Sequence, residues 1–103
     1  MAVELHVDGV VKLGQFGEFL KAAERWREFR RHRGWCVPRL LAGLSGTMNL
    51  VRFIFRYDSL AGYEREEQLV AQDPEYVRLA MLMSFDGRLE FTIFKEHETP
   101  AAG

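Results

Sequence analysis

The side chains best suited to chemistry lie near the start of the chain. His6 stands between Glu4 and Asp8, each two residues away. Residues two apart share one face of a β-strand, so a strand here would place the three side chains side by side. Histidine titrates near neutral pH and can act as a general acid or base. His6, oriented by Asp8, is therefore a candidate proton-transfer residue. The alternative is a solvated or dimer-interface histidine that is hydrogen-bonded to a carboxylate.

Arginine supplies the second candidate group. Arg52 lies in "MNLVRFIFRYDS" (48–59), where it could bind a carboxylate, phenolate or enolate and stabilise negative charge as it forms. Alternatively, Arg52 and Glu90 are cross-sheet partners in an ion pair that fixes strand register or a dimer. Arg39 is a weaker second cation, and Thr92 offers a hydroxyl contact.

The elements that must position these residues are mostly strands. Four segments have strand-like patterns, namely 3–11, 37–44, 48–59 and 88–97. Pro38 predicts that the second strand lies near a sheet edge or starts late. Ser45 and Gly46 predict a tight turn between the second and third strands. Asp86 and Gly87 predict a turn before the last one.

Helices are predicted between the strands. Apolar residues at helical spacing predict an amphipathic helix over 15–33, and Gly34 suits its C-terminal cap. A second helix, capped by Asp58 or Ser59, is predicted to be interrupted and to start again with Asp73 as its N-cap.

The resulting order, β-α-β-β-α-β, predicts an α+β fold of the ferredoxin-like type with a four-stranded antiparallel sheet. The helices would cover one face of the sheet. That covered face would hold Val3, Leu5, Val7, Val51, Phe53, Phe55, Leu89, Phe91 and Ile93.

The opposite face is predicted to mix apolar and charged side chains. Met48, Leu50, Ile54 and Phe94 would make it too apolar to stay bare, while His6, Arg52 and their neighbours make it too polar for a dry core. A second copy of the same sheet solves both problems, because two facing sheets close into a barrel and protect their edges. We therefore expect a homodimeric α+β barrel.

The segment "NLVRFIFRYDSLAGYEREEQLVAQDPEY" (49–76) resembles the NIPSNAP-like proteins. These belong to the dimeric α+β barrel superfamily, which also contains antibiotic-biosynthesis monooxygenases, polyketide cyclases, muconolactone isomerases and haem-degrading enzymes. The resemblance implies a ligand either between the sheet and the helices or within the barrel.

The resemblance also draws attention to Asn49, Trp35 and Tyr57, because related barrels use such residue types in their pockets. The alternatives are structural: Asn49 would serve the turn, Trp35 would pack over a helix end and Tyr57 would belong to the core. No full Asn–Trp–His haem-degrading constellation is found in its expected order.

Together these features predict a small-molecule-binding protein. If it is an enzyme, we expect a cofactor-free monooxygenase or cyclase/isomerase acting on an aromatic or polyketide-like compound. His6 would then be the acid or base, Asp8 its orienting partner and Arg52 the anion-stabilising group. The alternative function is a non-catalytic homodimeric binding or assembly module of the NIPSNAP type.

Size and composition limit the other classes. The 103 residues predict one domain over 1–98 with a flexible tail over 99–103, and the net charge of −1 predicts no nucleic-acid partner. The basic run 26–35 is interpreted as a solvated helix face. No segment suggests a membrane span, a signal peptide or a metal site, and the single Cys36 fits a reducing cytoplasm.

Overall fold

Seven elements follow one another along residues 1–97, the part of the chain that the computed structural model describes. They are β1 (Val3–Val10), α1 (Phe16–Arg33), β2 (Arg39–Ala42), β3 (Leu50–Tyr57), α2 (Leu60–Ala71), α3 (Pro74–Ala80) and β4 (Glu90–Lys95). This confirms the β-α-β-β-α-β order with an interrupted second helix. The predicted tail over 99–103 lies outside the described residues.

The four strands form one antiparallel sheet in the order β2-β3-β1-β4, which is the ferredoxin-like α+β topology. Strand β1 lies in the interior of the sheet, so its residues have neighbours on both sides. Its odd-numbered side chains, such as Leu5 and Val7, are buried, and those of β3, such as Phe53, are buried beside them. The predicted assignment of residues to the two faces of these strands is therefore confirmed.

Helix α1 packs against the sheet through one stripe. Its buried residues are Phe19, Ala23, Trp26 and Arg30, at spacings of four, three and four residues. This is the spacing that keeps side chains on one helical face. Gly34 ends the helix in the left-handed conformation (φ 73°), as predicted, and its N–H donates to a carbonyl of the last turn.

Each of the two helices in the second helical region begins at a side-chain N-cap. The Ser59 hydroxyl accepts a hydrogen bond from the Gly62 N–H at 3.0 Å, so Ser59 rather than Asp58 caps α2. The Asp73 carboxylate accepts from two backbone N–H groups at 3.1 and 3.2 Å, directly before Pro74. Since these caps satisfy amides that a helix start leaves without partners, each helix begins where the sequence predicts.

The predicted tight turn at Ser45 and Gly46 is wrong. Seven residues, 43–49, connect β2 to β3, and β3 begins at Leu50 rather than Met48. The physical reason lies at Asn49, which has left-handed backbone (φ 59°) and so cannot continue a strand. Its amide Nδ2 donates to the Val11 carbonyl at 3.3 Å and ties this connection to the end of β1.

The covered face is smaller than predicted. Phe91 is 64% exposed and Ile93 47%, although both point to the helical side of the sheet. Helix α2 lies against β3 and α3, so the helical layer leaves this side of β4 open. The gap between the helices and the sheet continues inward as a cavity.

Candidate binding cavity between sheet and helices

A cavity of about 570 Å³ lies between the sheet and the helices. Its walls come from three strands, three helices and the segment 81–89. Most of the lining is aromatic or apolar, with the rings of Trp26, Phe53, Phe55 and Phe85 on several sides. This volume and lining are typical of sites for small organic ligands.

Arg30 is the one buried charged residue among residues 1–97, with 2% of its surface exposed. It reaches the cavity wall from α1, and each of its three guanidinium nitrogens donates a hydrogen bond. Nε donates to the Cys36 carbonyl at 2.5 Å, Nη1 to the Tyr76 hydroxyl at 3.1 Å and Nη2 to Glu66 at 2.5 Å. The planar cation also lies 4.9–5.8 Å from the ring centres of Trp26, Trp35, Phe55 and Tyr76. These contacts offset the cost of removing the charge from water.

Glu66 completes this buried cluster from α2. One carboxylate oxygen accepts the Cys36 backbone N–H at 2.7 Å, and the other accepts from Arg30 and from the Tyr57 hydroxyl. Burial, and then the Glu66 carboxylate, raise the pKa of Tyr57 far above its ordinary value, so this hydroxyl stays protonated and donates. The cluster thus joins α1, α2, α3 and the end of β3.

Two hydrogen-bond donors beside the cavity are not used within this cluster. The indole Nε1–H of Trp26 is buried and has no partner among residues 1–97. The Tyr76 hydroxyl accepts from Arg30, and no acceptor for its own proton is found in the same part of the chain. Because the Trp26 Nε1 atom has almost no accessible surface, a ligand in the cavity cannot reach it, whereas the Tyr76 hydroxyl still has its proton to donate.

The predicted proton-transfer residues lie on the other face of the sheet. His6 is only 17% exposed, its Nε2 is 3.1 Å from Glu4, and its ring centre is 4.6 Å from that of Phe94. Asp8 accepts two hydrogen bonds from Arg52, at 2.6 and 2.9 Å. The hydrogen bond from Arg52 holds the pKa of Asp8 below its usual range. The predicted orienting of His6 by Asp8 is therefore wrong, since the carboxylate at the His6 ring is that of Glu4. His6, Asp8 and Arg52 share the outer face of the sheet and lie away from the large cavity.

The expected pairing of Arg52 with Glu90 is wrong. Strand β1 lies between the strands that carry these two residues, and Asp8 stands opposite both of them in the register. Asp8 is therefore the nearer carboxylate and takes the guanidinium. Glu90, Thr92 and Arg39 are exposed on the same outer face.

A further ion-pair network borders a shallow hollow on this outer face. Arg56 contacts Glu4 and Glu96, each at 3.2 Å, and sequence analysis assigned no role to this arginine. The hollow, of about 320 Å³, is lined by these residues with His6 and Phe94. Lys95 completes a lining in which four of six residues are charged, whereas most lining residues of the cavity on the helical side are apolar.

The three remaining candidates have different positions. Tyr57 lines the cavity and donates to Glu66. Asn49 binds the Val11 carbonyl in the β2–β3 connection, and Trp35 packs edge-to-face on Phe29 beyond the end of α1. Of these candidates, only Tyr57 belongs to the cavity wall.

Sequence analysis missed Arg30 and Glu66 because charged residues at helical spacing were assigned to solvent. That interpretation holds for Arg31 and His32, which are exposed and pair with Glu28. For Arg30 it is wrong. The available signal was its position, four residues after Trp26, which continues the apolar stripe of α1.

Within residues 1–97 no cluster of histidine, cysteine and carboxylate side chains could hold a metal ion. None of the helices in that range combines the length and apolar character needed to cross a membrane.

The strand order and the helical layer define a ferredoxin-like α+β protein with a cavity between sheet and helices. Solved structures share this architecture: a NIPSNAP family protein from Agrobacterium tumefaciens has a TM-score of 0.78 at 14% identity, covering 99% of this chain and 100% of that one. A NIPSNAP domain protein from Burkholderia xenovorans has a TM-score of 0.75 at 21% identity, covering 94% and 95%. SnoaB, a cofactor-independent oxygenase from Streptomyces nogalater, has a TM-score of 0.71 at 16% identity, covering 98% of each chain.

No family model matches the chain, and no curated protein matches it in sequence. At the identities found, the structural likeness establishes a common fold. It agrees with the NIPSNAP resemblance predicted from residues 49–76.

Proposed function

We propose that this protein binds a small aromatic molecule in the cavity between the sheet and the helices. The observation that carries this proposal is a cavity of about 570 Å³ that is walled by aromatic rings and has polar groups in its lining. Apolar surface drives such a ligand out of water, and a few polar groups orient it. The similar fold of a cofactor-independent oxygenase supports a small-molecule function without bearing on the position of the ligand.

The proposal includes a homodimer in which the outer faces of two sheets meet. Phe94 and Leu41 are 49% and 42% exposed on this face, beside the ion pairs of Arg52 and Arg56. A partially apolar sheet face that no helix covers is typical of a protein interface.

Catalysis is a second candidate function, favoured by the fold shared with a cofactor-independent oxygenase and with a protein described as an antibiotic biosynthesis monooxygenase. A cofactor-free oxygenation, cyclisation or isomerisation would use His6 as the acid or base, with Asp8 and Arg52 beside it. Because these residues lie on the outer face, such chemistry would take place between the two sheets of the dimer. If neither site reacts, the protein is a non-catalytic binding or assembly module.

Binding in the cavity is tested with a neutral fluorescent aromatic, N-phenyl-1-naphthylamine. Ala80 lines the cavity, whereas Ala71 is exposed at the end of α2 and does not. We expect saturable binding by the wild type. Ala80→Trp, whose indole would occupy part of the cavity, should lose at least about ten-fold in affinity, and Ala71→Trp should bind as the wild type does. Equal binding by the two variants would place the ligand elsewhere and refute the proposal.

The catalytic candidate is tested separately, by searching the purified protein for a retained small molecule with mass spectrometry and assaying turnover of that compound. His6→Ala is expected to abolish turnover and to leave cavity binding unchanged, since the ring lies on the opposite face of the sheet. Unchanged turnover in this variant would remove His6 as the acid or base.

A further inference from the structure

The cavity already contains its own charges, and they compensate each other. The Arg30 cation is held by Glu66 at 2.5 Å and by four aromatic rings. A carboxylate ligand would have to displace Glu66 from Arg30. The other carboxylate of the wall, Glu67, is exposed to solvent, so its charge acts only weakly on a ligand of either sign. A cationic ligand would meet Arg30. Since a charge buried without a partner is costly, an uncharged ligand is favoured.

The Glu66 acceptors of the wall are already occupied, and the other carboxylate of the wall, Glu67, is exposed to solvent. The Glu66 oxygens are occupied by Arg30, Tyr57 and the Cys36 N–H. Tyr76 accepts from the Arg30 cation, and this polarises its O–H bond and strengthens it as a donor.

We infer that the ligand is an uncharged aromatic molecule carrying a hydrogen-bond acceptor, such as a ketone oxygen, and that Tyr76 is the residue that selects this acceptor. The Tyr76 O–H donates to the ligand oxygen. The ring system of the ligand packs against Phe53, Phe55 and Phe85. This inference rests on the proposed function, because it concerns the same cavity.

Three probes of similar size separate the contributions. They are 2-acetonaphthone, which is neutral with a carbonyl acceptor, 2-isopropylnaphthalene, which lacks the acceptor, and 2-naphthoate, which is anionic. Calorimetric titration of the wild type is expected to show about five-fold tighter binding of the ketone than of the hydrocarbon, the size of one neutral hydrogen bond. The carboxylate is expected to bind at least about ten-fold more weakly than the ketone.

Tyr76→Phe tests the selecting residue, and Tyr63→Phe is the matched control, since Tyr63 does not line the cavity. Tyr76→Phe should equalise the affinities of ketone and hydrocarbon by weakening only the ketone, while Tyr63→Phe should keep the five-fold preference. Wild-type protein that binds the hydrocarbon as tightly as the ketone, or the carboxylate most tightly, would overturn the inference and leave the cavity as a binding site. That comparison needs no variant, so it stands even if Tyr76→Phe does not fold. Failure of all three probes to bind would instead overturn the proposed function.

Discussion

At the scale of single residues, the main feature is a buried arginine that sequence patterns assign to solvent. Arg30 has the spacing of an apolar residue on α1 and the chemistry of a surface residue. Its burial is possible because Glu66, Tyr76 and the Cys36 carbonyl meet its nitrogens. These partners come from later parts of the chain, so no local pattern could reveal them. The same contacts place polar groups in the cavity wall.

Removing either member of this pair is expected to destabilise the fold. Arg30→Met leaves the Glu66 carboxylate buried without its cation, and we expect a loss of about 3 kcal/mol in the free energy of unfolding. In Arg30→Met/Glu66→Leu no charge remains unpaired, so the loss should be at least about 1 kcal/mol smaller than the sum of the single losses. Urea denaturation of Arg30→Met, Glu66→Leu and the double variant measures the three losses. Arg31→Met, a half-exposed neighbour, should change stability by less than about 0.5 kcal/mol. Additive single losses would show that the two charges do not act as a pair.

Asp8 is expected to make stability depend on pH in the acid range. Its pKa is lowered, first by the hydrogen bond from Arg52, so the folded state binds its proton less readily than the unfolded state. This contribution is present above the unfolded pKa of about 4 and is lost as pH falls through the lower folded value. Wild type should therefore exceed Asp8→Asn in melting temperature at pH 7, with the difference shrinking below about pH 4.

Thermal melts of both proteins between pH 7 and pH 2.5 measure this convergence. Asp58→Asn is the control, since Asp58 is exposed and forms no ion pair within residues 1–97. A difference between wild type and Asp8→Asn that stays constant over the range would contradict a role for the ionised carboxylate.

At the scale of elements, local rules predict the strands and helices well and the connections less well. Alternation identifies the faces of β1, and the caps at Ser59 and Asp73 identify the starts of α2 and α3. The β2–β3 connection is mispredicted because Ser45 and Gly46 resemble a hairpin turn, while the ladder is ended by Asn49 and its contact with Val11. That contact is long-range, so the turn residues alone could not reveal it. The exposure of Phe91 likewise depends on where α2 packs.

Two glycines, one in the first turn of α1 and one directly after its last residue, are expected to respond oppositely to substitution. An added Cβ meets no atom within 4 Å at either Gly34 or Gly17, so packing does not distinguish them. Gly34 has φ 73°, where alanine is strained, and Gly34→Ala should destabilise by about 1 kcal/mol. Gly17 lies within the first turn and its φ is not positive, so Gly17→Ala should stabilise by about 0.5 kcal/mol. Chemical denaturation of the pair checks the sign, and equal effects would contradict a conformational cause.

At the scale of the whole molecule, the sheet separates two different environments. Its helical side borders an aromatic cavity, and its outer side carries ion pairs among exposed apolar residues. A single chain covers only the first of these. A second copy of the chain would cover the other, which is why the proposed dimer and the proposed ligand site are compatible.

The dimer predicts that charge added to the outer face separates the subunits. Ile54 lies on that face between Arg52 and Arg56, so Ile54→Lys would add a third cation to one strand. We expect wild type to sediment at twice the chain mass and Ile54→Lys to sediment as a monomer that keeps its fold by circular dichroism. Leu69→Lys, an exposed position on α2, should remain dimeric. A wild type that stays monomeric at high concentration would refute the dimer.

The alternation along β1 also restricts how the chain can change in length. Deleting Gly9 would exchange the faces of the β1 residues before it and turn Glu4, His6 and Asp8 towards the aromatic rings. Deleting two residues would shorten the strand but leave each remaining side chain on its original face of the sheet. The connection 43–49 has no such alternation and is almost wholly exposed, so extra residues there disturb neither surface. Insertions are thus tolerated at one edge of the sheet and forbidden in its middle.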